Sequence, residues 1–166
     1  MRWVLIILCS CVSMGAPPSE QQTKLFAAIV SAAAREARAS FPREHVRPLL
    51  MDSTSFSRGA DMVGLDRVNG DRVGSMVGEE VIMVESSDAV HRCWDAGSCP
   101  ELEKAVLISL NSLTVTASTQ VVARLQWFVR YARGGSPVVC VKTMQLDLHR
   151  SSKGWEVTDE TVIRVC

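Results

Sequence analysis

The segment Gln120–Ser136 reads QVVARLQWFVRYARGGS, and the fold is decided there. Its odd positions are Val121, Ala123, Leu125, Trp127, Val129 and Tyr131. The even positions include Arg124, Gln126 and Arg130, with Phe128 as the exception. Period-two alternation over about a dozen residues is the pattern of a half-buried strand, because successive side chains leave opposite faces. The run closes on Arg133-Gly134-Gly135-Ser136. Gly-Gly between alternating segments marks a two-residue hairpin, since a type I′ turn needs positive φ at both central positions.

This hairpin predicts a register. With Arg133 facing Ser136, Tyr131 faces Val138, Val129 faces Cys140, Trp127 faces Lys142, Leu125 faces Met144 and Ala123 faces Leu146. Apolar positions meet apolar positions almost throughout, and a slip of one residue would turn Met144 and Leu146 to the polar face. A second hairpin turns through Ser151-Ser152-Lys153-Gly154, a four-residue loop that pairs Arg150 with Trp155 and Leu148 with Val157. Thr161 to Cys166 is β-branched and strand-like. Asp159-Glu160 is the place where a bulge would fall.

Across its 166 residues the chain balances 18 acidic against 18 basic side chains. Neutral charge without a basic run argues against nucleic acid as a partner. With one Tyr and four Phe, a base-stacking platform is not expected either. The length suits one domain with a real core, predicted over residues 16–166.

Residues 1–15 differ from the rest. Arg2 precedes the apolar run Trp3 to Leu8, then Cys9-Ser10-Cys11, then small and polar residues up to Ala16-Pro17-Pro18. A positive charge, a short apolar segment and small residues is the order of a secretory signal, too short for a transmembrane helix. Leu8-Cys9-Ser10-Cys11 also resembles a bacterial lipobox, in which Cys11 would carry the lipid, although Cys9 departs from it. The plainer reading is cleavage near Gly15 or Ala16 without lipid. Export to the periplasm, cell envelope or exterior is the expectation, with membrane contact only through such an anchor.

Removal of residues 1–15 leaves Cys93, Cys99, Cys140 and Cys166. An even count in an exported chain reads as two disulfides. Cys93 and Cys99 bracket a short loop and are the expected partners, which leaves Cys140 with Cys166. The register above puts Cys166 on the wrong face for that bond, and one bulge in the last strand would correct it.

Ser19 with Gln22 fits a capping box, and Glu20 to Ser40 is rich in good helix formers. Leu25, Phe26, Ile29, Val30, Ala33 and Ala37 make a broad apolar stripe, and the alanines suit close approach to a sheet. Phe41-Pro42 ends the helix. From residue 43 to 92 the signals are short. Val46 to Met51 reads as a strand, Ser53 to Ser57 as a turn, Asn69-Gly70-Asp71 as a turn, and Val81 to Val84 is too short to classify. Ala89 to Cys93 closes a helix or begins a loop, and Pro100 to Lys104 starts a helical turn. Ala105 to Leu110 and Leu113 to Ala117 read as strand material broken around Asn111-Ser112.

Candidate chemistry is sparse. His91, Cys93 and Cys99 lie close in sequence, but structural zinc needs four ligands, so a disulfide beside a surface histidine is the better reading and no metal is expected. Asp147 and His149 share a strand face and could work as an acid/base pair with a substrate group between them. The preferred reading is a solvated outer face on which Asp147 neighbours Arg124 diagonally. His45, beside Arg43 and Glu44, suits a surface turn. Lys142 faces Trp127 and points to the apolar side, where a lysine must snorkel, pair or line a cavity. Asp159 falls on the same face. A cavity there would be lined by Trp127, Tyr131, Lys142 and Asp159, the candidate ligand site. Otherwise Lys142 lies where the sheet curves into solvent. No nucleophile elbow, phosphate loop, dinucleotide fingerprint or paired C-x-x-C is present, so no catalytic residue and no cofactor is assigned.

A long first helix, a strand-rich second half and a closing Gly154-Trp155-Glu156-Val157 after a hairpin resemble the cystatin-like α+β class, in particular the NTF2-like superfamily. The resemblance implies an α+β fold. Its long N-terminal helix packs on a curved antiparallel sheet that ends in a three- to four-stranded meander, with a cone-shaped cavity between. Members include isomerases, dehydratases and non-enzymatic binding or dimerising modules. Enzymatic members place an Asp-His or Asp-Tyr set in the cone, and the nearest inner-face candidates here are Tyr131 and Asp159. The expected function is a non-catalytic, disulfide-stabilised module that binds a small molecule or a protein partner. The alternatives are a cavity enzyme of isomerase or hydratase type, with Asp159 or Lys142 as base, and a structural homodimer using the open sheet face at Phe128 and Val141.

Overall fold

Helix α1, Pro18–Ser40, lays its whole predicted stripe against the sheet: Leu25, Phe26, Ile29, Val30, Ala33 and Ala37 are all buried. Burial of each large member contributes roughly 1.5–3 kcal/mol relative to exposure. The computed structural model describes residues 18–42, 46–62, 68–133 and 136–164. The leader segment with Cys11, the turn at His45, the two glycines of the first hairpin, and Cys166 lie outside the described residues.

After α1 come β1 (Leu49–Asp52), α2 (Ser53–Met62), α3 (Gly70–Val77), β2 (Val81–Val84) and α4 (Ser87–Ala96). A 3-10 turn at Pro100–Leu102 leads into β3 (Val106–Ala117), β4 (Gln120–Arg133), β5 (Ser136–Ser151) and β6 (Gly154–Arg164). The six strands form one sheet in the order β2-β1-β3-β4-β5-β6. Strands β3 to β6 are the antiparallel meander. The sheet is mixed, however, because β1 runs parallel to both β2 and β3. All four residues of β1 are buried, as suits a strand covered on both sides.

Every pair expected for the first hairpin is formed, from Ala123 with Leu146 to Arg133 with Ser136. The second hairpin is tighter than the expected four-residue loop: Ser151 pairs with Gly154 and leaves Ser152-Lys153 as the turn. Gly154 has φ 138°, a conformation that only glycine adopts readily.

Residues 43–92 hold two helices that read as turns in the sequence. The Ser53–Ser57 stretch opens α2, where the carboxylate of Asp52 accepts the Ser55 N–H at 3.0 Å. Asn69 caps α3, its side-chain oxygen accepting the Arg72 N–H at 3.0 Å. Capping and turn formation draw on the same short polar residues, so the local signal was real and its meaning was different. The expected break at Asn111-Ser112 is instead a bulge inside one continuous β3, with Leu110 opposite Leu125 and Ser112 opposite Arg124.

The core has two parts. Helices α1, α2 and α3 cover the inner face, where Phe26, Phe56, Trp127 and Leu146 meet. Helix α4 covers the β2–β1–β3 end of the outer face, with Val90 and Trp94 packed on Leu50 and Leu107. One residue ties the two together. Asp52, 3% exposed, gives one oxygen to the Ser55 N–H of α2 and the other to the Ser87 N–H of α4 at 3.0 Å and the Ser109 hydroxyl at 3.2 Å.

Candidate functional site

Three of the four proposed site residues come together on the inner face. Trp127 is fully buried in β4, and Lys142 lies directly opposite it in β5. Tyr131 is half-buried, two same-face positions further along β4. Phe41, at the end of α1, closes over both rings, with centroids 6.3 Å from Trp127 and 5.0 Å from Tyr131. The three rings pack edge to face and tilted against one another beside Lys142.

Lys142 is paired within the protein and only its margin reaches solvent. Its Nζ donates to Glu36 Oε1 at 2.5 Å and to Ser40 Oγ at 2.8 Å, and sits 5.6 Å from the Trp127 ring centroid. Ser40 Oγ in turn donates to the Glu36 carbonyl at 3.0 Å. With 12% of the lysine side chain exposed, this pair is largely desolvated, and the ring face adds a cation–π contact. The sequence did carry a signal for the two helix partners: Glu36 and Ser40 are spaced i, i+4 and flank Ala37 of the buried stripe. An inner-face lysine needs an acid from the covering helix, and Glu36 is suitably placed. The Trp127 Nε1–H is buried without a hydrogen-bond partner among the described residues.

Asp159 does not belong to this group. Leu148 pairs with Val157, but Asp147 pairs with Asp159, so Thr158 is an extra residue in β6. This bulge turns Asp159 to the outer face, where it is exposed, and brings Glu160 inward opposite Leu146. There Glu160 pairs with Arg35 of α1 at 2.7 Å. A second irregularity follows, with Met144 opposite Val162 and Thr143 opposite Arg164. An acid/base pair of Lys142 and Asp159 is therefore not assembled. Phe128, assigned to the open outer face, is instead partly covered by α4, its ring 4.8 Å from that of His91.

The expected Cys93–Cys99 disulfide is present, between the end of α4 and the turn that follows. Cys140 is disulfide-bonded as well. Its expected partner, Cys166, is not among the described residues.

Among the described residues, two surface recesses are lined by other side chains than the lysine site. One is formed by Arg47, Pro48 and Leu49 with Gly78, Glu79 and Glu80, beside an ion pair of Arg38 with Glu79. The other is a groove of about 480 Å³ on the outer face, lined by Thr116, Gln120, Val122, Asp147, His149 and Thr158. On this face Arg124 and His149 are exposed and Asp147 is half-buried. Asp147 Oδ1 is buried and has no hydrogen-bond partner among the described residues. Arg124, the diagonal neighbour, directs its Nε–H to Gln145 Oε1 at 3.1 Å instead. No helix among the described residues is long and apolar enough to cross a membrane, and they contain no cluster of three metal-ligating side chains.

No protein-family model matches the chain, and no curated protein matches it in sequence. Among solved structures, it is similar to an NTF2-like protein of unknown function from Shewanella oneidensis MR-1. That match has 10% identity and a TM-score of 0.33, covering 88% of this chain and 98% of the other. An NTF2-like protein with a cystatin-like fold from Novosphingobium aromaticivorans matches at 12% identity and a TM-score of 0.30, over 87% of this chain and 78% of the other. The intermembrane space region of the chloroplast protein ARC6 matches at 16% identity and a TM-score of 0.26, over 67% of this chain and 84% of the other. These likenesses amount to a weak NTF2-like resemblance of fold, and they say nothing of chemistry.

Proposed function

We propose that this chain is an exported, disulfide-stabilised module of the cell envelope that binds a protein partner and performs no chemistry of its own. The observation that carries the reading is the set of contacts that the inner-face side chains already make with one another. Phe41 packs on Trp127 and Tyr131, and Lys142 is held by Glu36 and Ser40, so the inner-face side chains that a ligand would need are engaged with one another. The polar outer face of β4, β5 and β6 is the surface left for a partner. Export is supported by the order of residues 1–15 and by the Cys93–Cys99 bond, which persists in oxidising compartments.

The test uses the protein expressed in a bacterial host with its native N-terminus. Osmotic-shock fractionation should place it outside the cytoplasm, and non-reducing peptide mass spectrometry should find Cys93 joined to Cys99. Native mass spectrometry should find no retained small molecule. A photo-crosslinking amino acid at Thr114 or Thr161, both exposed on the outer face, should trap a discrete protein adduct. A cytoplasmic chain with free thiols would overturn the export half. A retained small molecule that disappears in Trp127→Phe would overturn the partner half in favour of an interior ligand.

A further inference from the structure

The sheet ends on two strands that meet the outside differently. On the β6 edge two bulges interrupt the register, a device that spoils the addition of a further strand. The β2 edge has an unbroken register over its four paired residues and contains neither proline nor lysine. Its free side follows from one bond. The Leu49 N–H donates to the Glu80 carbonyl at 3.4 Å, and backbone groups alternate sides along a strand. Glu80, Ile82 and Val84 therefore turn their N–H and C=O groups to β1. Val81 and Met83 turn theirs away from the sheet, where no strand lies among the described residues. The edge is held from behind. The Glu85 carbonyl accepts from the Thr54 N–H at 3.3 Å and from the Thr54 hydroxyl at 2.7 Å. The Met83 side chain occupies the space that a Cβ on Gly70 of α3 would take.

Charge selects what this edge accepts. Ile82, 37% exposed, lies between Glu80 and Glu85, both exposed and neither ion-paired among the described residues. Arg47 shares the recess beside Glu80 without an ion pair to it. A second copy of this chain is a poor occupant. Antiparallel pairing of two β2 edges about their centre would set Glu80 of each copy opposite Glu85 of the other, two like-charge pairs. A strand with a cation at each of those places gains two opposite-charge pairs instead. We propose that β2 is extended by one antiparallel strand of a partner protein, with a β-branched residue opposite Ile82 and a Lys or Arg opposite each of Glu80 and Glu85. The main-chain bonds of Val81 and Met83 supply the affinity, and the two acids choose the partner. This edge is separate from the β4–β6 face, so the proposal goes beyond the reading above and stands or falls apart from it.

The probe is the peptide acetyl-Lys-Thr-Thr-Val-Thr-Lys-amide, titrated into the isotope-labelled, oxidised full chain and followed in amide correlation spectra. Laid antiparallel on β2, its third and fifth residues face Met83 and Val81, and its valine faces Ile82. Saturable shifts should centre on Val81, Ile82 and Met83, and the amides of Val81 and Met83 should gain protection from hydrogen exchange. N-methylation of the third and fifth peptide residues removes the donors aimed at the edge and should abolish binding, whereas N-methylation of the second and fourth should leave it within about twofold. The double variant Glu80→Gln with Glu85→Gln should weaken binding about fivefold, as two exposed ion pairs are lost. The acidic peptide acetyl-Glu-Thr-Thr-Val-Thr-Glu-amide should not bind. No saturation, shifts centred elsewhere, equal binding of the two N-methylated peptides, or equal binding of the acidic peptide would each overturn the proposal. Shifts at Val81 and Met83 on concentrating the free protein would overturn it in favour of a second copy. Crosslinks at Thr114 and Thr161 report on the other surface. Their survival beside a failed peptide removes this edge alone, and a bound peptide without any crosslink removes the β4–β6 reading alone.

Discussion

The two faces of one sheet handle charge in opposite ways. On the inner face a single lysine sits among aromatic rings, and every Nζ contact is accounted for by Glu36, Ser40 and the face of Trp127. On the outer face, side chains pair loosely along β4 and β5, as Arg124 does with Gln145 and Gln126 with Thr143 at 3.2 Å. Two acids there stand opposite each other unpaired. Burial explains the contrast. Desolvated charge must be matched for the fold to persist, while exposed charge costs little and is free to serve recognition. The inner face therefore answers to stability, as does the α4-covered end of the outer face, and the exposed β4–β5–β6 part is left to whatever meets it.

Substitutions can break that contrast. Trp127→Ala should have the largest effect, a loss of about 3–5 kcal/mol from the cavity beneath Phe41, read as a lowered urea midpoint by circular dichroism. Asp52→Ala removes the acceptor for three donors on both sides of the sheet and should cost about 3 kcal/mol in the same measurement. Glu36→Ala leaves Lys142 without its counter-charge and should cost about 2 kcal/mol. The double variant Glu36→Leu with Lys142→Met should recover most of that loss, because an apolar pair of similar volume needs no desolvation. If the double variant is no better than the single, the lysine is held by more than its ion pair. Smallest of all, Arg124→Ala on the outer face should stay within about 0.5 kcal/mol of the parent. A larger loss would mean that the exposed β4–β5 part of the outer face also serves the fold.

Legibility followed the length of the pattern. The β4–β5 hairpin could be read residue by residue because alternation, turn residues and the meeting of apolar positions all agreed. In residues 46–104 they did not. Strands β1 and β2 have four residues each, too few for a period, and the caps at Asp52 and Asn69 use the residues that turns use. In the lysine site, Trp127, Tyr131 and Lys142 were found because they share the hairpin's register. Asp159 was misplaced because one inserted residue reverses the side chains beyond it, as far as the second irregularity after Val162. Without the bulge, Asp159 and Thr161 would oppose Leu146 and Met144. That conflict of polar with apolar was a readable warning, and the bulge resolves it at Met144 by bringing Val162 inward, while Glu160, opposite Leu146, is matched by Arg35.

Asp52 has a consequence for how the molecule opens. Its two oxygens hold the first turns of helices that lie on opposite sides of the sheet. Fraying of α2 withdraws a donor from the same carboxylate that restrains α4, so the two layers cannot loosen independently. Their amides should exchange with solvent deuterium in one shared event, and a single buried side chain thereby sets the size of the unit that unfolds together.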